Sequence, residues 1–142
     1  MKLDPEFVIE NEKMLLGQYP NTYTFTKSMA ERAIMKKRGS LPVSIVRPSI
    51  IISSYEEPVQ GWTDTLAAGG VLVLALVNGY LTTMNLRREP YIDFVPVDLV
   101  SNIILASTAY TGLSKTPGLN VVHATTSQLN PISVGSTIDA LN

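Results

Sequence analysis

The sequence predicts an α/β fold in which helices alternate with short apolar strands. Two observations predict it: apolar residues recur at helical spacing in some segments, and short runs rich in β-branched residues lie between those segments. The chain has 142 residues, of which 45% are hydrophobic and 16% are charged. That length and composition suit one domain, or part of one, with a buried core. The alternation is typical of a layered architecture with a parallel sheet.

The first 40 residues predict two helical regions. Residues 1–20 are expected to form a short helix followed by a turn. Asn21 and Thr22 can cap the next helix, because their side chains accept hydrogen bonds from the unpaired N–H groups of a first turn. The body of this helix, Tyr23 to Arg38, ends in three cations, which suit a helix C-terminus. Gly39 supplies its C-terminal cap.

Four short apolar runs are the predicted strands. Val43 to Val46 is the first, and Ile50 to Ile52 follows it closely. The continuous β-branched run of Ile50 to Ile52 is typical of a parallel strand that is buried on both faces. Tyr91 to Val95 and Leu119 to Ala124 are the other two. So few parallel strands are hard to stabilise alone.

A segment without charge separates the second and third strands. Thr65 to Leu86 has no charged residue over 22 positions, which raises the question of a membrane span. A span needs about 20 predominantly apolar residues, whereas the dense part here, Val71 to Val77, is much shorter and is flanked by Gly and Asn. We therefore expect a buried helix, capped by Asp64 and ending near Asn78, whose surface is covered by this chain or another.

The last part of the chain predicts one helix and a tail. Asp98 lies near the start of a helix that continues to about Tyr110, and Gly112 to Gly118 is expected to be a turn. After the strand that ends at Ala124, the chain from Thr125 is polar and we expect it to be frayed, with residues 132–142 as a polar tail outside the domain.

Composition excludes several classes of protein. The formal net charge is −1, and there is no Cys, so neither a disulfide scaffold nor a Cys-based zinc site is expected. The near-zero charge and the lack of a basic block argue against a nucleic-acid partner. The N-terminus is too polar for a secretory signal, and we expect an intracellular location.

One pair of residues suggests acid–base chemistry. Tyr23 and Lys27 are four residues apart at the start of a helix, which places both on one face. An ammonium group and the positive end of a helix dipole both favour the phenolate form of a neighbouring tyrosine. Such a phenol can donate a proton to a carbonyl oxygen while a hydride reaches the carbon. On spacing alone, an amphipathic surface pair is the favoured interpretation.

Five sequence blocks supply the context for this pair, and they occur in a fixed order. They are Tyr-Pro-Asn-Thr-Tyr-Thr-Phe-Thr-Lys-Ser-Met-Ala-Glu at 19–31, Val-Arg-Pro-Ser-Ile at 46–50, Glu-Pro-x-x-Gly-Trp at 57–62, Asp-Phe-Val-Pro-Val-Asp-Leu-Val at 93–100 and Val-His-Ala-Thr-Thr-Ser-x-x-Asn-Pro at 122–131. Together they resemble the alcohol-forming fatty acyl-CoA reductases, the male-sterility-type branch of the extended short-chain dehydrogenase/reductases. The resemblance extends from about Gly17 to Pro131.

The resemblance implies a particular domain organisation. Residues 21–131 would be the C-terminal half of an NAD(P)-binding reductase domain, a partial Rossmann-like fold that lacks the N-terminal dinucleotide-binding half. Consistent with that expectation, the chain has no G-x-G-x-x-G motif. The catalytic Ser or Thr that the family places before its Tyr has no counterpart in residues 1–21. The isolated chain is therefore expected to be inactive.

The resemblance also implies roles for individual residues. Tyr23 would be the general acid toward the thioester or aldehyde carbonyl, and Lys27 would make it a stronger acid and hydrogen-bond the nicotinamide ribose. The backbone around Pro48, Ser49 and Ile50 would line the nicotinamide pocket, at the carboxyl end of a strand. In this family NADPH carries the hydride.

On the substrate side, Gly61 and Trp62 belong to a loop that would face the acyl chain. The reaction implied is reduction of a fatty acyl-CoA to a fatty alcohol through an aldehyde. Membrane association through regions outside this chain, at the endoplasmic reticulum or peroxisome, is a further expectation. Two alternatives stay open: a thioester reductase that releases aldehyde, and an inactive short paralogue that pairs with a full-length reductase as a binding module.

Other conspicuous residues have simpler interpretations. His123, the only histidine, is expected to be a structural residue of an apolar strand. Arg47 is expected to form an ordinary ion pair, and Trp62 to pack a loop. Asp93 and Asp98 are expected to cap helices or stabilise turns, and no metal site is predicted.

Overall fold

A computed structural model describes residues 4–65, 69–83, 85–114 and 118–140 of the chain. The chain divides into two compact units, residues 1–41 and residues 42–142. The first unit is helical, and the second combines helices with small sheets, so the predicted α/β class is confirmed.

The first unit contains helices α1 (Pro5–Glu10), α2 (Glu12–Leu16) and α3 (Thr22–Lys37). The short helix predicted in residues 1–20 is thus divided in two at Asn11. The N-cap of α3 is the predicted Asn21, whose side chain accepts a 2.9 Å hydrogen bond from the Thr24 N–H. At the other end the C-cap residue is Arg38, and the predicted Gly39 comes directly after it with φ of 57°. Capping residues therefore set both ends of this helix.

Among the described residues of the second unit, six strands pair in twos. They are β1 (Val43–Pro48), β2 (Ile50–Ile52), β3 (Tyr91–Ile92), β4 (Phe94–Pro96), β5 (Leu119–Ala124) and β6 (Ile132–Ser133). Strands β1 and β5 are parallel, with Val43 opposite Leu119 and Pro48 opposite Ala124. Strands β2 and β4 are also parallel, whereas β3 and β6 are antiparallel.

The described part of the second unit also contains the helices α4 (Gly69–Val77), α5 (Val97–Leu113) and α6 (Val134–Asp139). Helix α5 packs against β1, β4 and β5. The buried core lies at this junction and consists of Val95, Val100 and Ala124, with Val46 and Ile103 packed against them. Helix α5 therefore covers the strands whose carboxyl ends carry the predicted cofactor-lining residues.

Strand β2 is less buried than its sequence predicts. Its parallel pairing with β4 agrees with the prediction, but Ile50 and Ile51 are exposed. The expectation of burial on both faces is wrong, because Ile50 and Ile51 lie on opposite faces of β2 and the described residues leave each of them about two-fifths exposed.

The strand predicted at Tyr91 to Val95 is interrupted at Asp93. Residues on either side belong to different sheets, β3 with β6 and β4 with β2. The Asp93 carboxylate accepts hydrogen bonds from the N–H groups of Thr126 and Ser127. Because these contacts tie Asp93 to the loop after β5, the continuous strand predicted from the apolar run does not form.

The end of the chain corrects the expectation of a frayed tail. Residues 132–139 form β6 and α6, and Val134 and Gly135 are buried. Ser133 caps α6 through a reciprocal capping box with Ser136, which satisfies two N–H groups at once. Helix α5 continues beyond its predicted end near Tyr110 to Leu113, so its last two residues lie in the predicted turn of Gly112 to Gly118. Residues 115–117 of that turn lie outside the described ranges.

The apolar segment forms helix α4 and ends at Asn78-Gly79, as predicted. Its expected cap at Asp64 stays a prediction, because residues 66–68 lie outside the described ranges. Val71 and Val77 are 56% and 63% exposed, so described residues of this unit leave much of α4 uncovered. Within the described parts of the chain, no helix has the length and apolar character to cross a membrane.

Candidate active site and substrate cleft

Tyr23 and Lys27 lie side by side in the first two turns of α3. The Lys27 Nζ atom is 5.5 Å from the centroid of the Tyr23 ring, within the range of a cation–π contact. Tyr23 is 68% exposed, so most of this residue is open to solvent. The predicted shared face is confirmed, and it presents a phenol and an ammonium group together.

Contacts around the start of α3 hold this pair in place. Asn21 caps the helix, and the Thr24 hydroxyl also donates to the Asn21 carbonyl at 3.0 Å. The Tyr19 hydroxyl lies 2.6 Å from the Ser28 hydroxyl, and its ring meets Phe25 edge-on, with centroids 5.5 Å apart. These contacts fix the turn before α3 against the helix that bears the pair.

Pro48, Ser49 and Ile50 connect the carboxyl end of β1 to the start of β2. The Ser49 N–H donates to the Ala124 carbonyl at 3.1 Å, and the Ile50 N–H donates to the Asp93 carbonyl at 3.1 Å. This backbone is therefore held at the edge where β1 and β5 both end. It belongs to the second unit, whereas Tyr23 and Lys27 belong to the first.

Asp93 organises the surroundings of Ser49. Its carboxylate accepts hydrogen bonds from the Ser49 hydroxyl at 2.8 Å, from the Thr126 N–H at 2.9 Å and from the Ser127 hydroxyl. These donors, led by the Ser127 hydroxyl and the Thr126 N–H, lower the pKa of Asp93 from 3.8 to about 2, although partial burial opposes the shift. The predicted turn role of Asp93 is confirmed.

Asp98 fixes the loop of residues 53–62. Its carboxylate accepts hydrogen bonds from three successive N–H groups, those of Tyr55 at 2.9 Å, Glu56 at 2.9 Å and Glu57 at 3.1 Å. These bonds, led by that of Tyr55, hold the pKa of Asp98 well below its usual range, against the effect of burial. Asp98 therefore binds a turn and does not cap α5, whose N-cap residue is Pro96.

Ser54 connects the two ends of the same loop through its hydroxyl group. Ser54 is 4% exposed, and its hydroxyl accepts a 3.0 Å hydrogen bond from the Trp62 N–H while donating to the Val59 carbonyl at 2.5 Å. Gly61 turns the chain just before Trp62 with φ of 77°, a conformation that favours glycine. The loop thus has a defined shape.

An open cleft of about 340 Å³ lies between this loop and α5. Pro58, Trp62 and Val97 supply apolar walls, and Ser101 and Asn102 supply polar groups. Of the two predicted substrate-side residues, Trp62 lines the cleft and Gly61 shapes the turn beside it. Trp62 is 44% exposed, so part of this residue is open to solvent at the cleft.

A second open cleft, of about 380 Å³, lies where α6 meets the segment before β3. Arg88 spans it, donating to Asp139 at 2.5 Å and to the Gly135 carbonyl at 3.4 Å. None of the predicted site residues lines this cleft. Arg88 could not be identified from the sequence, because its partners lie about 50 residues further along the chain.

The remaining candidates lie away from both clefts. His123 is exposed on β5, opposite Arg47 in the parallel register. The predicted place of His123 in an apolar strand is confirmed, although its side chain is exposed while that of the next residue, Ala124, is buried. The structural role of His123 stays a prediction. Among the described residues, no three His, Asp or Glu side chains converge as metal ligands would.

Comparisons with known proteins agree with the sequence blocks. Residues 1–104 match an NAD-binding family model described as male sterility protein. The chain is 37% identical to fatty acyl-CoA reductase 1 of Rattus norvegicus over 140 residues, which are 99% of this chain and 27% of that protein. It is 35% identical to fatty acyl-CoA reductase 2 of Bos taurus over 133 residues, 94% of this chain and 26% of that protein.

These matches define the class of protein. The chain belongs to the male sterility protein family, a family named for NAD binding, and it is similar to fatty acyl-CoA reductases along nearly its whole length. It spans about a quarter of the length of the curated relatives that it matches.

Proposed function

We propose that this chain forms part of an NADPH-dependent fatty acyl-CoA reductase that converts a long-chain acyl-CoA to a fatty alcohol. The observation that supports this most strongly is the exposed Tyr23–Lys27 pair at the start of α3, within a chain similar to reductases of that name. Two reductions are required. The first converts the thioester to an aldehyde and releases coenzyme A, and the second converts the aldehyde to the alcohol.

Tyr23 is the proposed general acid in both reductions. Its hydroxyl donates a proton to the carbonyl oxygen as negative charge develops there. Lys27, 5.5 Å from the ring centroid, stabilises the phenolate that remains, because an ammonium group favours a neighbouring negative charge. Lys27 also has donors to spare for the ribose hydroxyls of the cofactor. NADPH, when bound, would supply one hydride to each reduction, so two NADPH are consumed per acyl chain.

Pro48, Ser49 and Ile50 are the proposed wall of the nicotinamide pocket. Their fit to a planar ring rests on two features: the backbone is fixed by hydrogen bonds to Ala124 and Asp93, and it lies at the carboxyl ends of two parallel strands. Open α/β sheets of the Rossmann type bind ligands at that edge.

The cleft beside Trp62 is the proposed site for the acyl part of the substrate. Its volume of about 340 Å³ falls in the usual range for small-molecule sites, and it combines apolar walls with a few polar groups. Pro58, Trp62 and Val97 offer the apolar surface that an alkyl chain buries favourably.

A binding module without activity is the second candidate, and exposed apolar residues of α4 favour it. Val71, Leu74 and Val77 are exposed, and such a surface is typical of protein or membrane contacts. Under this alternative the chain pairs with a full-length reductase. Association with the membrane of the endoplasmic reticulum or peroxisome is proposed for either candidate.

The test is an assay of the native protein, isolated with an antibody against residues 19–31. Palmitoyl-CoA is supplied with NADPH or with NADH, and hexadecanal and hexadecanol are both measured. We expect hexadecanol, formed faster with NADPH. Hexadecanal alone would favour a thioester reductase, and no turnover together with co-isolation of a longer reductase would favour the binding module.

A further inference from the structure

Asp98 makes an unusual set of contacts for an acidic residue in the first turn of a helix. A carboxylate there can cap the helix or interact with its dipole from solvent. Asp98 is instead only 9% exposed, and both of its oxygens accept hydrogen bonds from another segment, the N–H groups of residues 55–57. The Asp98 carboxylate therefore accepts hydrogen bonds from the loop of residues 53–62.

These contacts join the two walls of the cleft. Trp62 and Pro58 form one wall from the loop, while Val97, Ser101 and Asn102 form the other from α5. Asp98 lies on α5 and lines the cleft itself. Because Ser54 closes the loop around Trp62, a displacement of residues 55–57 would be transmitted to the Trp62 ring.

We propose that Asp98 is a positioning residue for acyl binding: it holds the loop of residues 53–62 against α5 and thereby sets the position of Trp62 in the cleft. The inference rests on the proposed function for the nature of the ligand. Asp98 does not contact the acyl chain in this account, and its effect is transmitted through the loop. Charge-assisted bonds to three N–H groups provide the necessary rigidity.

The test substitutes Asp98→Asn in the 142-residue chain. The side chains have the same shape, but the amide NH₂ replaces one acceptor with a donor that faces the N–H groups of the loop. Trp62 is the only tryptophan of this chain, so its fluorescence reports on the cleft directly. Palmitoyl-CoA is the probe, and acetyl-CoA, which has the same headgroup and almost no chain, is the comparison.

We expect Asp98→Asn to shift Trp62 emission to longer wavelength and to weaken palmitoyl-CoA binding by roughly tenfold, as loss of hydrogen bonds to a charged group would. Binding of acetyl-CoA should stay unchanged. Asp98→Glu, which keeps two acceptor oxygens, should recover part of the affinity. Asp139→Asn removes an exposed carboxylate far along the sequence and should leave both emission and affinity unchanged.

A measurement on the wild-type chain keeps the proposal testable if Asp98→Asn fails to fold. The amide hydrogens of residues 55–57 should exchange slowly, and more slowly still with palmitoyl-CoA bound. Unprotected amides there, or a folded Asp98→Asn chain with unchanged emission and palmitoyl-CoA affinity, would overturn the inference. Protected amides and a shifted emission, with no palmitoyl-CoA binding by the wild type, would instead refute the acyl-CoA part of the proposed function.

Discussion

The Ser49 hydroxyl donates a 2.8 Å hydrogen bond to the carboxylate of Asp93, 44 residues further along the chain. The backbones of the same two segments are joined as well, because the Ile50 N–H donates to the Asp93 carbonyl at 3.1 Å. Asp93 therefore holds, through its carboxylate and its carbonyl, the segment proposed to line the nicotinamide pocket.

The first prediction concerns acid stability. The native-state pKa of Asp93 is about 2, below its ordinary value of 3.8, and that of Asp98 is lowered too. Between pH 3.8 and about pH 2 the unfolded chain binds more protons than the folded chain. The contribution of Asp93 to the free energy of unfolding is therefore complete above its ordinary pKa and is lost as pH falls toward 2. The urea midpoint should therefore fall as pH is lowered from about 5.

Asp93→Asn tests the source of this pH dependence. The variant should be less stable than wild type at neutral pH, and its midpoint should fall less steeply between neutral and acidic pH. Glu89→Gln removes an exposed carboxylate of the same unit and serves as the control. Equal slopes for wild type and Asp93→Asn would show that Asp93 does not contribute.

The second prediction concerns the helix that bears Tyr23 and Lys27. Asn21→Ala removes the acceptor of the Thr24 N–H and should destabilise α3 by about 1 kcal/mol. Amide exchange in the first turn of α3 should become faster. Asn21→Asp keeps an acceptor oxygen and should behave as wild type. Unchanged exchange in Asn21→Ala would contradict the capping role.

The third prediction compares two glycines. A Cβ atom at Gly135 would lie 3.2 Å from Arg88 Nε and 3.3 Å from the Arg88 carbonyl oxygen, and that carbonyl is held by the Gly135 N–H. Gly135→Ala should therefore cost about 1–3 kcal/mol of unfolding free energy. Gly112 lies in α5 with nothing within 4 Å of a new Cβ.

Gly112→Ala is the matched control for that comparison. It should stabilise the chain by roughly 0.5–1 kcal/mol, because alanine favours helix more than glycine does. Urea denaturation of both variants gives the two free energies. Equal free energies of unfolding for Gly135→Ala and Gly112→Ala would contradict the close contact between α6 and Arg88.

Local features were the ones that the sequence could predict. The caps Asn21 and Gly39 identify the ends of α3, and the run at Leu119–Ala124 identifies β5, since capping and strand preference depend on nearby residues. The Tyr23–Lys27 spacing is local in the same way. Its shared helix face follows from the helical repeat alone, because residues four apart are neighbours on a helix surface.

Long-range contacts were the ones that the sequence could not predict. The apolar run at Tyr91–Val95 favours one strand, but Asp93 interrupts it through contacts with Thr126 and Ser127. Asp98 meets N–H groups more than 40 residues before it. Both aspartates lie in one sequence block, yet their partners depend on how distant segments pack.

The measurement that tests the central claim most directly is single-turnover reduction of palmitoyl-CoA by the native protein carrying Tyr23→Phe. Tyr110→Phe is the matched control, because it also removes the phenol hydroxyl of an exposed helical tyrosine, 66% exposed against 68% for Tyr23. We predict that Tyr23→Phe lowers the rate at saturating NADPH by at least about a hundredfold, while Tyr110→Phe stays close to wild type. A normal rate for Tyr23→Phe would contradict its role as the general acid.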